Sequence, residues 1–247
     1  MTNTAWNIAV VGAGPVGLAL ALHASKLLPH AGITIFDARA ADHDVSADPR
    51  TLALSMGSVQ FLRRLGAWPA AAAEPILEVH VSQAPPTLVT LFGETAVRLR
   101  AADIGVPQLG AVLPYGALVA PLQRAWEAEV ADQPERLHSR FGTPVAAIKP
   151  LPAGVEVDAG IAEPFDLAVV AEGGVFAEQA RKALIGDYGQ TAWVGQVTLQ
   201  GATRGMAFER FTRHGPAALL PLPPDPAAAD TAPTGHSRAA LVWCVPS

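Results

Sequence analysis

The chain has 247 residues, half of them hydrophobic and 16% charged, with a formal net charge of −5. That length holds one large domain or two smaller ones around a real core, and a mildly acidic balance without a basic run argues against a nucleic-acid partner. The single cysteine, Cys244, excludes an internal disulfide framework and reads as a small apolar strand residue, in keeping with a reducing compartment.

The seven histidines show no paired spacing, so no metal site is expected. No apolar stretch reaches the roughly 18 to 20 residues that span a bilayer. The first apolar run lacks a charged leader and doubles as the strand described next, so no secretory signal is expected. The chain reads as cytoplasmic, with a peripheral membrane contact or a place in a biosynthetic complex left open.

In chain order, the first element is the short apolar run Ile8–Val11, the pattern of a parallel strand buried on both faces. Gly12-Ala13-Gly14-Pro15-Val16-Gly17 follows, and good helix formers continue to Leu28. Gly32 ends that helix before a second apolar run, Ile33–Phe36, closed by Asp37. Gly12 permits a sharp turn, Gly14 lets backbone approach a pyrophosphate, and Gly17 lets helix pack on strand. The orphan N–H groups of the helix start would hold the phosphates, and Pro15 suits the first turn because its missing N–H costs no helix bond. Asp37, 25 positions after Gly12, stands where an acid accepts from ribose hydroxyls. Strand, turn, helix, strand and acid in that order favour dinucleotide binding over a merely structural turn, without separating NAD from FAD.

Residues 38–49 read as a solvated loop, and a helix through Val59, Leu62 and Leu65 has apolar residues at helical spacing before Gly66 stops it. Arg63 and Arg64 are expected to face water. From Ile76 to Leu99 the apolar period is two, which predicts antiparallel strands around 76–81, 88–91 and 97–99. Leu109–Leu113 and a helix from about Tyr115 to Val130 return to an α/β pattern. Strands at Val145–Ile148 and Val155–Val157 precede a second buried strand, Phe165–Ala171, ending in Glu172-Gly173-Gly174. Four further strands are expected at 191–199, 206–212, 217–222 and 240–245, with residues 223–237 a long loop rich in Pro, Ala, Asp and Thr. The alternation predicts an α/β, Rossmann-like nucleotide domain in two pieces, 1–68 and 101–186. A β-rich domain takes 69–100 and 187–247.

Four stretches together resemble the group A flavin-dependent aromatic hydroxylases, and within them the ubiquinone-biosynthesis monooxygenases of the UbiH type. The first is the glycine turn with Asp37. The second is Asp48-Pro49-Arg50-Thr51-Leu52-Ala53-Leu54-Ser55 with Leu62-Arg63-Arg64-Leu65-Gly66-Ala67-Trp68. The third is Leu167–Gly174 with Arg181 downstream. The fourth joins Asp187-Tyr188-Gly189-Gln190 to Phe208-Glu209-Arg210-Phe211-Thr212 and Gly215–Leu222.

The resemblance implies FAD as the held nucleotide and NADPH as co-substrate. Gly12, Gly14 and Gly17 would meet the FAD pyrophosphate, Asp37 the ribose, and Arg50 the phosphate and ribityl region, where a guanidinium forks onto paired oxygens. For Arg50 the alternative is a loop residue in water. Glu172 and Gly173 would lie near the flavin, Glu172 standing where the family usually has Asp. Tyr115 falls near a position where relatives carry Arg or Gln. No Ser-His-Asp or Cys-His set is visible and catalytic residues stay unassigned, since the cofactor carries the difficult chemistry. The implied reaction is hydroxylation of a polyprenylated phenol in ubiquinone biosynthesis. Motifs that the family carries after this point do not occur before Ser247, so the chain resembles the first two-thirds of such an enzyme. A non-catalytic flavoprotein fold or scaffold subunit, and a simple flavin or NAD dehydrogenase, are the competing readings. Phe208 and Phe211 read as packing residues.

Overall fold

In the computed structural model, which describes residues 6–48, 50–85, 96–172, 187–224 and 236–247, the first elements are β1 (Asn7–Val11), α1 (Pro15–Leu27) and β2 (Gly32–Asp37). Then come β3 (Thr51–Ser55), α2 (Met56–Leu65), β4 (Glu74–Ile76), β5 (Glu78–Gln83), β6 (Ala96–Arg100), β7 (Gly110–Pro114) and α3 (Tyr115–Asp132). Five short strands follow: β8 (Leu137–Phe141), β9 (Ala147–Leu151), β10 (Gly154–Asp158), β11 (Ala162–Phe165) and β12 (Leu167–Val170). β13 (Gln190–Gln200), β14 (Met206–Thr212), β15 (Gly215–Leu222) and β16 (His236–Pro246) complete the described elements. They fall into two units, one of Met1–Asp48, Leu62–Trp68 and Gly116–Ile185, the other of Pro49–Phe61, Pro69–Tyr115 and Gly186–Ser247.

The first unit is built on a parallel sheet in the order β12-β1-β2-β8. β1 and β2 are central and buried, as their unbroken apolar runs require. Helix α1 buries Leu18, Ala19, Ala21 and Leu22, and α3 buries Leu118, Val119, Leu122 and Trp126. The Trp126 indole N–H donates to the Ser139 hydroxyl of β8 at 2.8 Å, so this large ring is buried with its polar edge satisfied. Ala9, Val11 and Phe36 form one cluster with Val145, Val157 and Phe165 of the antiparallel β9–β11 sheet and its approach. Phe36 and Phe165 meet edge to face, ring centroids 5.9 Å apart.

Two expectations change here. The run Phe165–Ala171 is not one buried strand. Phe165 ends β11 and pairs with Val155 of the small sheet, and the chain then bends at Asp166 to start β12 beside β1. β12 has a neighbour on one side only among the described residues, which leaves Leu167 47% and Val170 41% exposed. The strand expected at Val145–Ile148 begins instead at Ala147 and continues through Pro150 to Leu151. Proline is tolerated there because β9 is an edge strand, where its missing N–H breaks no ladder.

The second unit holds a six-stranded sheet ordered β13-β16-β15-β14-β5-β6 and a three-stranded sheet ordered β3-β7-β4. The larger sheet is antiparallel except that β5 joins β14 in parallel, a correction to the all-antiparallel reading of this region. Period-two patterns specify which face a residue takes but not the direction of its neighbour. The strand expected at 88–91 lies outside the described residues, and so does most of the loop 223–237. Ile76 and Val112 of the small sheet pack on Ala207, Leu222 and Ala240 of the large one. Helix α2 buries Val59, Leu62 and Leu65, the residues its spacing singled out. Among the described residues no helix is long and apolar enough to cross a membrane.

Glu74 of β4 is 1% exposed, and the Arg204 guanidinium forks onto both its carboxylate oxygens at 2.7 and 2.8 Å. The pair joins β4 to the turn before β14, and the bonds hold the Arg204 guanidinium even more firmly protonated than usual. Removing the guanidinium leaves a desolvated carboxylate without its donors. Arg204→Ala is expected to lower stability to urea unfolding by about 1–3 kcal/mol. The double variant Glu74→Leu with Arg204→Met should recover most of that loss, because no buried charge is then left unpaired.

Candidate functional site

The C-terminal end of β1 lies between β2 on one side and β12 on the other, the point where a doubly wound sheet opens a crevice for a ligand. The chain turns sharply there. Gly12 has φ +105°, and a Cβ on it would come within 2.7 Å of the Ala171 carbonyl and the Glu172 nitrogen at the end of β12. Gly17 is excluded from carrying a side chain for a different reason: its Cβ would sit 1.9 Å from the Gly12 carbonyl oxygen. Gly14 is the residue before α1, in extended conformation, and accepts the Leu18 N–H at 3.0 Å. It offers no side-chain cap, and the first turn of α1 holds no acidic residue. The positive end of the helix dipole and its backbone N–H groups therefore border a turn without Cβ atoms, a cradle that fits a diphosphate.

Asp37, at the end of β2, turns its carboxylate back onto this turn. Oδ2 accepts the Ala13 N–H at 2.6 Å, and Oδ1 accepts the Arg39 N–H at 2.8 Å. The Arg39 guanidinium adds bonds to Oδ1 at 3.0 Å and Oδ2 at 3.1 Å, and also donates to the Ala13 carbonyl at 2.7 Å. Burial pushes the Asp37 carboxyl up, but the bonds from Arg39 and Ala13 outweigh it and hold it below the usual carboxylate range. Asp37 thus stays ionised at neutral pH. The sequence reading missed Arg39; the signal for it was the Asp-x-Arg spacing at the end of a strand, which brings a guanidinium back to the acid.

Glu172 follows β12 and is solvent-exposed. Its carboxyl is pushed up from the ordinary value, first by partial desolvation and then by the negative charge of Asp37. Gly12, Gly14, Gly17, Asp37 and Glu172 therefore gather at the ends of β1, β2 and β12 in the first unit, while Gly173 lies outside the described residues. Arg50 belongs to the second unit. Its guanidinium carbon stands 4.2 Å from the centre of the Tyr115 ring, and its carbonyl accepts the Tyr115 N–H. The Tyr115 signal in the sequence was a position near the cofactor; what the structure shows is this stacking partner for Arg50. Phe208 and Phe211, three apart in β14, point to opposite faces of the six-stranded sheet. Phe208 meets His80 edge to face at 5.9 Å, and Phe211 is 46% exposed.

Gly17→Ala forces the Gly12 peptide to move and is expected to lower the melting temperature of the unliganded protein and abolish nucleotide binding, read by calorimetry. A second test uses linkage. Because the folded carboxyl of Asp37 lies below its unfolded value of 3.8, the stability it contributes is full above that value and is lost as pH falls through the lower folded value. The urea stabilities of the parent and Asp37→Asn should therefore differ at neutral pH and converge on acidification.

No family model matches the chain. It is 30% identical over 239 residues to the 3-demethoxyubiquinol 3-hydroxylase of Escherichia coli strain K12, an alignment covering 90% of this chain and 56% of that protein. Among solved structures, PqsL of P. aeruginosa in complex with 2-aminobenzoylacetate superposes with TM-score 0.65 at 14% identity, over 98% of this chain and 61% of that one. HpxO of Klebsiella pneumoniae, complexed with FAD and uric acid, gives TM-score 0.64 at 15% identity, over 98% and 57%. The 2,6-dihydroxypyridine-3-hydroxylase of Arthrobacter nicotinovorans gives 0.63 at 16%, over 98% and 57%. At such identities the structural likeness carries the fold, and the chain spans little more than half the length of these relatives. Along nine-tenths of its length the chain is thus similar in sequence to a 3-demethoxyubiquinol 3-hydroxylase, and it is similar in fold to solved hydroxylases, one of them complexed with FAD.

Proposed function

We propose that this chain binds FAD and carries the cofactor-binding part of a monooxygenase that hydroxylates a polyprenylated phenol of ubiquinone biosynthesis, with NADPH as reductant. The observation that carries the reading is the cradle at Gly12, Gly14 and Gly17 with the ionised Asp37 beside it. The redox and oxygen chemistry is supplied by the flavin when it is bound. The chain's own residues then have defined work. The backbone N–H groups at the start of α1 hold the diphosphate, and the Asp37 carboxylate accepts from the adenosine ribose. Arg50, whose guanidinium stacks on the Tyr115 ring, is the residue proposed for the phosphate and ribityl oxygens. Glu172 borders the cofactor on the β12 side.

A large apolar substrate is supported by the six-stranded sheet considered alone. Register places Val79, Leu99, Ala207, Leu220 and Ala240 on one face, together with Val97, Phe211 and Val194. The β4–β7 side covers only part of that face. Val97 and Leu99 on the edge strand β6 are 57% and 54% exposed, and Val194 on the opposite edge strand β13 is 70% exposed, so apolar side chains stand open at both margins of the face. A polyprenyl chain is a ligand of matching chemistry. The likeness to a 3-demethoxyubiquinol 3-hydroxylase supports the same substrate class.

The test is reconstitution followed by turnover. Incubated with FAD and desalted, the protein is expected to retain flavin absorbance, and supplied with NADPH and a prenylphenol it is expected to form hydroxylated product only when dioxygen is present. A colourless protein after reconstitution overturns the flavin reading and favours a non-catalytic fold. NADPH oxidation that is indifferent to oxygen and leaves no hydroxylated product favours a simple dehydrogenase.

A further inference from the structure

The geometry points to Arg39 as a positioning residue: it sets the nucleotide affinity of the glycine turn by holding both the Asp37 carboxylate and the Ala13 peptide. This rests on the nucleotide reading above and deepens it. The peptide groups of Ala13 lie between the two glycines that would line the phosphate subsite. Its N–H is bound to Asp37 Oδ2 at 2.6 Å and its carbonyl to Arg39 Nη2 at 2.7 Å. Neighbouring glycines give this stretch high intrinsic backbone freedom. The two bonds remove that freedom, and they come from side chains two residues apart at the end of β2.

Asp37 accepts four donors from the protein, namely the Ala13 N–H, the Arg39 N–H, and Arg39 Nε and Nη2. That fills the sites of a carboxylate. A ribose hydroxyl joins by taking the place of the Nη2 bond at Oδ2, the longest of the four at 3.1 Å. The Nη2 bond to Ala13 and the Nε bond to Oδ1 need not break. Arg39 therefore stays as the brace of the turn while Asp37 turns one acceptor to the ligand. The charged groups that face Asp37 are Arg39 on its own strand end and Glu172 from the end of β12. Without Arg39 the two carboxylates would face each other with no cation between the glycine turn and β2. Asp37 would then protonate at higher pH and lose its ability to accept from the ribose.

The experiment titrates ADP, which carries the adenosine and diphosphate without the flavin, and FAD into the parent chain, Arg39→Gln and Arg39→Lys by calorimetry across the acid range. Arg39→Gln is expected to weaken ADP binding about tenfold at neutral pH and to move the acid limb of the affinity profile to higher pH. Arg39→Lys, which keeps the charge but not the fork, is expected to recover part of both effects. The ionisation of the ADP phosphates is common to all three proteins and cancels in the comparison. If Arg39→Gln does not yield folded protein, Arg39→Lys is compared with the parent directly, and a smaller shift of the same sign is expected. Equal ADP affinity and an unmoved acid limb in the variants overturn the role of Arg39 while leaving FAD binding intact. Binding of FAD but not ADP by the parent also overturns it alone, and binding of neither overturns the flavin reading with it.

Discussion

The carboxylate of Asp37 is the interaction on which the first unit's site depends. It stands at the end of β2, yet its bonds reach the Ala13 peptide after β1, so two adjacent parallel strands are tied at the ends where a ligand would enter. Burial alone would favour the neutral acid; the donors from Arg39 and Ala13 reverse that preference. An ionised group is thus kept in a nearly dry place by bonds that also shape the turn. The same contacts that lower the carboxyl's pKa define where the backbone N–H groups of α1 begin.

Close approach is the second constraint. Gly12 and Gly17 are required by different neighbours, the end of β12 and the turn's own carbonyl, so the motif is a packing solution as much as a phosphate cradle. β12 contributes backbone rather than side chains to that solution. It can therefore be short and exposed on its outer side without harm to the turn. The sheet order β12-β1-β2-β8 sets β1 between two neighbours, and the crevice opens above its end.

In the second unit an ion pair on a buried carboxylate and an apolar sheet face do different work. Glu74 and Arg204 anchor the small strand β4 to the turn that starts β14, where an apolar contact of equal reach would not fix direction. The sheet itself separates chemistry by alternation. One face carries the shared core with exposed apolar residues at both margins, and the other carries His80 on Phe208 and the cross-strand pair Trp193 with Trp243. Phe208 and Phe211, alike in composition, are divided between these environments by a spacing of three.

The glycine turn, its flanking strands and the acid that closes β2 were legible from residues alone, because steric exclusion and backbone hydrogen bonding act within thirty residues of chain. The helices at 15–27, 56–65 and 115–132 were legible for the same reason: periodicity is local. The division of Phe165–Ala171 between two sheets was not, since an apolar run looks the same whether one sheet or two receive it. Nor was the parallel β5–β14 pair, whose partners are more than a hundred residues apart. Arg39 was visible as a residue and not as a brace, because its role needs the Ala13 carbonyl to arrive from another strand. By itself the sequence determined the three helices and the chemistry of the turn, which short-range sterics dictate, whereas the strands at 51–55 and 137–141 were not among those expected. Only the tertiary structure decided strand direction, the fork of Arg204 on Glu74 and the setting of Asp37, because these depend on groups that meet through folding and not through spacing.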